Sequence, residues 1–149
     1  NSTDSLLEVQ PSLTAPSLNL LTTPLNSLES TISTAITIPL IPAMAANGFI
    51  VFDYQNVDSF KIAGIRVKAG DLLIGQYRDG ELIELKTVEL PLDYNTAYQL
   101  DLTLEPNRAR ISLDDHYALV YEFNDYLLIN PVGVGTLQSS AFFTTPEIS

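Results

Sequence analysis

The sequence predicts an all-β protein: two antiparallel sheets packed as a sandwich, preceded by an extended N-terminal leader. Three observations predict it. Short runs of bulky β-formers recur at even spacing from Thr31 to the end of the chain, as they do in sandwiches and barrels. Turn-forming residues separate these runs, above all the Asp79-Gly80 pair, which suits the two positive φ values of a type I′ hairpin. No stretch carries apolar residues at the spacing of an amphipathic helix, so helical layers are not expected.

The elements follow in order. Residues 1–30 form a leader rich in Ser, Thr and Leu; residues 1–46 hold five of the nine prolines and only Asp4, Glu8 and Glu29 as charges. Prolines at this density exclude a helix and a central strand. Leu6, Leu7, Leu13, Leu18, Leu20, Leu21, Leu25 and Leu28 are many leucines for a solvated segment, since disordered chain is poor in such residues. Three readings stay open: a linker, a segment packed on its own domain, or a strand added to a neighbouring subunit. The domain proper is expected over residues 31–149.

Ile32, Ile36 and Ile38 fit a first strand, closed by Pro39 and Pro42. Phe49-Ile50-Val51-Phe52-Asp53-Tyr54 fills a strand near 48–55, and the polar break Gln55-Asn56-Val57-Asp58 turns the chain. In the next strand, near 59–68, Phe60, Ile62, Ile65 and Val67 alternate, with Ala63-Gly64 interrupting like a bulge. Asp79-Gly80 joins strands near 71–77 and 82–89. Tyr98, Leu100, Leu102 and Leu104 then alternate against Ala109, Ile111 and Leu113 across the Pro106-Asn107 break. A turn at Asp114-Asp115-His116, residue types that tolerate the left-handed region, leads to a strand near 117–123. Strands near 132–137 and 140–145 finish the chain.

Four stretches carry a resemblance. Gly48 to Gln55 fits a strand of the type G-F-φ-F-x-Y-Q, and Asp71 to Leu82 fits an x-L-x-I-G-x-x-x-D-G-x-W hairpin. Tyr98 to Glu122 fits a second hairpin, and Val132-Gly133-Val134-Gly135-Thr136 fits the φ-G-φ-G-T start of a last strand. In this order they resemble the laminin-G-like, concanavalin-A-like jelly-roll domains of secreted and cell-surface proteins, over roughly residues 32 to 149. The resemblance implies a jelly-roll topology, an extracellular or cell-surface location, and a role in recognition or adhesion.

Composition narrows the chemistry. One domain of 149 residues can bury a core without staples. With no cysteine, disulfides, thiolate metal sites and thiol nucleophiles are excluded, and the redox compartment stays open. A formal charge of -11, with all seven Lys and Arg after residue 60, argues against nucleic acid, which needs a basic face. No apolar run reaches the roughly 18 residues of a membrane span. The chain starts at Asn1 rather than Met, as expected of a processed secretory protein or a piece of a longer one.

Catalytic constellations fail in turn. His116 is the single histidine and falls in an expected turn, and no serine lies in a G-x-S-x-G elbow. Glycoside hydrolysis needs two carboxylates about 5–9 Å apart, but Glu81 and Glu84 are three residues apart on a strand and point to opposite faces. The chain is therefore expected not to be an enzyme. Calcium takes about six to eight oxygens from loop carboxylates and carbonyls, and Asp53, Asp58, Asp114, Asp115 and Asp125 are the candidates. The resembled family also uses an Asp just after the last strand's Phe, where this chain has Phe142-Phe143-Thr144-Thr145. For ligand binding, Tyr77 and Arg78 beside the hairpin and Tyr126 in the Asn124-Asp125-Tyr126 loop stand out, because loops carry function more often than sheets.

Two functions are consistent with these expectations. One is an exported recognition module for a polysaccharide or a surface protein. The other is a structural subunit of an extracellular filament or matrix, self-associating through residues 1–30 by strand addition.

Overall fold

A computed structural model of the chain describes residues 6–9, 15–22, 29–42, 44–128 and 131–149. These residues form thirteen strands and no helix, arranged as two antiparallel sheets face to face. The first sheet runs β1 (Leu6–Val9), β12 (Ala141–Thr144), β3 (Thr31–Thr37), β8 (Ala97–Glu105), β9 (Arg108–Leu113), β10 (Tyr117–Glu122), with β13 (Glu147–Ile148) also pairing β3. The second runs β2 (Ser17–Leu20), β11 (Gly133–Thr136), β4 (Asn47–Asn56), β5 (Ser59–Arg66), β6 (Asp71–Arg78), β7 (Glu81–Glu89).

Alternation builds the first sheet. Ile32 and Ile36 of β3, Leu100, Leu102 and Leu104 of β8, and Ile111 and Leu113 of β9 all point inward, as a strand period of two requires. They meet Ile50, Phe52, Ile65, Leu72, Ile74 and Val134 from the second sheet. The second sheet is different, because its outer face is apolar as well. Phe49, Val51, Phe60, Ile62, Leu73 and Tyr77 form a separate buried cluster there. That is why β4 reads as a continuous hydrophobic run rather than an alternation.

Two local expectations shift. Ala63-Gly64 is no bulge: the β4–β5 register runs unbroken through Ile50↔Ala63 and Phe49↔Gly64. Glycine stands at 64 because the neighbouring backbone crowds it, and a Cβ there would lie 2.1 Å from the Gly48 carbonyl oxygen. The irregularity falls instead between Phe52 and Asn56 on β4, where Asp53 has φ +48°. Asp79 (φ +50°) and Gly80 (φ +87°) make the expected turn. Asp114 (φ +51°) and Asp115 (φ +55°) make the next one in the left-handed region, and His116 is exposed there.

The leader does not stand apart from the domain. β1 pairs β12 from Leu6↔Thr144 to Val9↔Ala141, and β2 pairs β11 from Ser17↔Thr136 to Leu20↔Gly133. A division at residue 31 therefore separates edge strands from their own sheets, and the described leader strands pair within their own chain. Val9 enters the core, Leu7 packs against it, and Leu18 and Leu20 pack on the outer apolar cluster. Leu13, Leu25 and Leu28 lie outside the described residues.

Candidate functional site

At one end of the sandwich the inward positions of the second sheet turn from apolar to polar. Along β5 the inward series Ile65, Ala63 continues to Lys61, and along β6 the series Leu72, Ile74 continues to Gln76 and Arg78. Opposite them lies Tyr121 near the end of β10, and Phe123 leads into the loop 124–128. The space between is a groove of ≈ 550 Å³, with more polar than apolar lining.

The floor of the groove is an ion pair. Lys61 Nζ donates to Asp53 Oδ2, and the two side chains are 13% and 5% exposed. The Leu128 backbone N–H donates to Asp53 Oδ1 at 2.7 Å, so both carboxylate oxygens are engaged. Lys61 Nζ also sits 5.1 Å from the centre of the Phe123 ring, a cation–π contact in a partly dry site. Phe123 in turn meets Phe52 and Tyr121 edge-on, at 6.2 and 4.9 Å.

The rim is open. Arg78 is exposed and has no carboxylate within ion-pair distance among the described residues. Tyr126 is 81% exposed beside the groove, flanked by exposed Asn124 and Asp125. Gln55 and Gln76 add amides. The four charged groups of the groove, Asp53, Lys61, Arg78 and Asp125, cancel, within a chain of net charge -11. Chemically this is an aromatic face next to planar donors and acceptors that can each take two hydrogen bonds.

The sequence candidates divide between this groove and other places. Arg78, Tyr126, Asp53 and Asp125 come together here. Tyr77 does not: as a strand neighbour of Arg78 it faces the other way. It is 8% exposed and stacks on Phe60 at 5.0 Å and 18°, with Tyr54 stacked on the far side of that ring at 6.1 Å. Tyr77 lines a separate hollow of ≈ 240 Å³ with Pro16 and Leu137, so as a partner of Arg78 in one site it is corrected.

The carboxylates proposed for calcium do not converge. Asp58 belongs to the β4–β5 turn, where its N–H bonds Asn56 Oδ1 at 2.8 Å. Asp114 and Asp115 lie on the opposite sheet, and Asp114 Oδ1 accepts from Gln99 N at 2.7 Å. Among the described residues no three His, Cys, Asp or Glu side chains are placed to share an ion. With Asp53 already held by Lys61 and Leu128, the carboxylates among the described residues do not fit the six-to-eight-oxygen shell of calcium. Glu81 opposes Arg78 and Glu84 opposes Gly75, which places the two glutamates on opposite faces of β7.

Lys61, Gln55, Gln76, Tyr121 and Asn124 were not singled out from sequence. A signal existed for two of them: Lys61 and Gln76 are polar residues at inward positions of otherwise apolar strands. Nothing in the sequence announces that loop 124–128 closes over them, because that follows from the packing of one sheet on the other.

Solved structures share this architecture. The carbohydrate-binding module CBM66 from Bacillus subtilis superposes with a TM-score of 0.77 at 18% identity, covering 95% of this chain and 94% of that one. Galectin LEC-6 from Caenorhabditis elegans matches with a TM-score of 0.62 at 9% identity, covering 100% and 92%. Sheep galectin-11, solved in complex with glycerol, matches at 0.60 and 10%, covering 93% and 100%. The likeness is one of fold. It makes the chain an all-β, two-sheet antiparallel jelly-roll sandwich. No family model matches the sequence, and no curated protein matches it.

Proposed function

We propose that this chain is a non-catalytic glycan-binding module, and that a neutral, hydroxyl-rich sugar lies in the groove between Arg78 and Tyr126. One observation carries the reading: a freely exposed aromatic ring borders a concave site whose other groups are planar amides, a guanidinium and a carboxylate. A sugar presents an apolar C–H face and a fringe of hydroxyls, which such a ring and such groups complement. The fold neighbours support the class, since one is a carbohydrate-binding module and the others are galectins.

Neutrality follows from charge. The groove's fixed charges cancel, and a protein of net charge -11 repels polyanionic glycans at long range. The non-catalytic reading is supported by Glu81 and Glu84 facing apart and by Asp53 being held in its ion pair. The wording of the Gly48 to Gln55 strand favours a laminin-G-like member of the sandwich class, and with it an extracellular recognition role.

Affinity electrophoresis against neutral and anionic polysaccharides tests the reading, with Arg78→Gln and Tyr126→Ala as site variants. Retardation by a neutral glycan that either variant weakens supports it. Binding that both variants leave unchanged moves the site elsewhere, and no retardation by any glycan removes the sugar altogether.

A further inference from the structure

We infer that Asp53 is a positioning residue: its carboxylate pins the Asn124–Tyr126 wall of the groove to the opposite sheet. The role takes its purpose from the glycan-binding reading, but its geometry stands without it. Three observations converge on Asp53. It interrupts the central strand β4 where the register to β5 breaks. It holds a left-handed backbone, φ +48°, although it is not glycine; such conformations persist where the surroundings impose them. And it is 4% exposed, with each carboxylate oxygen occupied by a different element.

Those elements belong to different layers. Lys61 lies on β5 of the second sheet, whereas Leu128 follows the last strand of the first sheet's edge. The wall itself is tied at its base by backbone bonds within the first sheet's side, Phe123 N–H to the Asn107 carbonyl and Leu127 N–H to the Pro106 carbonyl, both 2.7 Å. The Leu128–Asp53 bond is a tie of this wall to the second sheet, the sheet that supplies Arg78 and Gln76. Lys61 reinforces it by spanning from Asp53 to the Phe123 ring. The left-handed bulge matters because it turns the Asp53 side chain out of the strand's alternation and toward the loop. Lys86 Nζ of β7 also donates across the sheets, to the Val120 carbonyl of β10 at 3.1 Å, but that bond reaches the edge strand and not the loop, which Asp53 holds through Leu128.

Amide hydrogen exchange of the purified chain tests the pin without any ligand. In the wild type the Leu128 amide, on a residue 46% exposed, is expected to be protected at least about tenfold over an open loop amide. Exchange at the unprotected rate overturns the proposal. Asp53→Gly keeps the backbone conformation and removes both oxygens, and Leu128 exchange is expected to rise about tenfold there. The Phe123 and Leu127 amides should change much less. Equal Leu128 rates in wild type and Asp53→Gly overturn the pin; if that variant does not fold, the wild-type protection decides alone. Where a glycan bound by the wild type is in hand, Asp53→Gly should weaken it while Asp53→Asn, which keeps an acceptor, restores part of the loss. A wild type that binds no glycan sinks the functional reading and leaves the exchange result standing.

Discussion

Tyr126 is a side chain with little structural duty and an exposed position, which makes it the cleanest probe of the groove. Tyr126→Ala should cost about 1 kcal/mol of binding, or about fivefold in affinity for a neutral glycan. The melting temperature should not move, since the ring is 81% exposed. Calorimetric titration with a parallel thermal melt reads both quantities. Gly64 should behave in the opposite way. A Cβ there meets the Gly48 carbonyl oxygen at 2.1 Å and the Phe49 Cα at 2.7 Å, both backbone atoms that cannot swing aside. Gly64→Ala is therefore expected to cost at least about 3 kcal/mol, measured by urea unfolding. At this scale the sequence misleads where residue type and conformation part company: Ala63-Gly64 looks like a bulge and is flat, while Asp53 carries the bulge without a glycine to mark it. Aspartate is tolerated at positive φ, so its strained position leaves no compositional trace.

Elements were legible in proportion to their length. The strands β3, β8 and β9 follow the alternation of Ile32–Ile36, Leu100–Leu104 and Ala109–Leu113, because each has one wet face. The leader strands were not: four-residue runs close to prolines offer too few positions for a period to show. Their contribution is measurable. Deleting residues 1–30 strips β12 and β11 of their edge partners and exposes surfaces covered by Leu7, Val9, Leu18 and Leu20. The melting temperature should fall on the order of 10–20 °C, and size-exclusion chromatography should show association through the bared strand edges. An unchanged melt would mean that these strands contribute no stability. At the far end of the second sheet Arg66 joins Asp71 and Glu84 at 2.5 and 2.8 Å. The hydrogen bonds that Arg66 donates to the Asp71 carboxylate are the main cause holding its guanidinium above the ordinary range, opposed by burial and aided by Glu84. A raised pKa gives stability that is complete below the unfolded value and lost only as pH climbs through the folded one. This cluster should therefore add no pH dependence on the alkaline side up to at least about pH 10, whereas Arg66→Met, which leaves Asp71 buried without its partner, should cost about 1–3 kcal/mol at every pH in that range. Thermal melts of both chains from neutral pH upward test the two claims together.

For the whole molecule, charge and site pull in one direction. Eighteen acids against seven bases give a field that disfavours anionic polymers, while the groove itself is locally neutral. Neutral glycans should bind with little dependence on salt between about 50 and 500 mM, because no net ion pairing is made. Any residual binding of a uronate polymer should instead strengthen as salt screens the repulsion, and steep weakening of neutral-glycan binding by salt would contradict the neutral-sugar reading. The sandwich was legible from strand count and turn chemistry, but the groove was not. It exists only where Lys61, Gln76 and Arg78 of one sheet face the loop 124–128 of the other, a meeting about forty residues or more apart in the chain.

The stacked rings on the outer face of the second sheet have an optical consequence. The chain has seven tyrosines and no tryptophan, so its near-ultraviolet signals come mainly from tyrosine. Tyr54 and Tyr77, fixed on either side of Phe60, sit in a rigid asymmetric setting and should dominate the near-ultraviolet circular dichroism. Tyr126, solvated at the groove, should contribute little to that signal but should change its emission when a sugar covers it. One unlabelled sample thus reports folding in one channel and occupancy in the other, with no dye and no engineered chromophore.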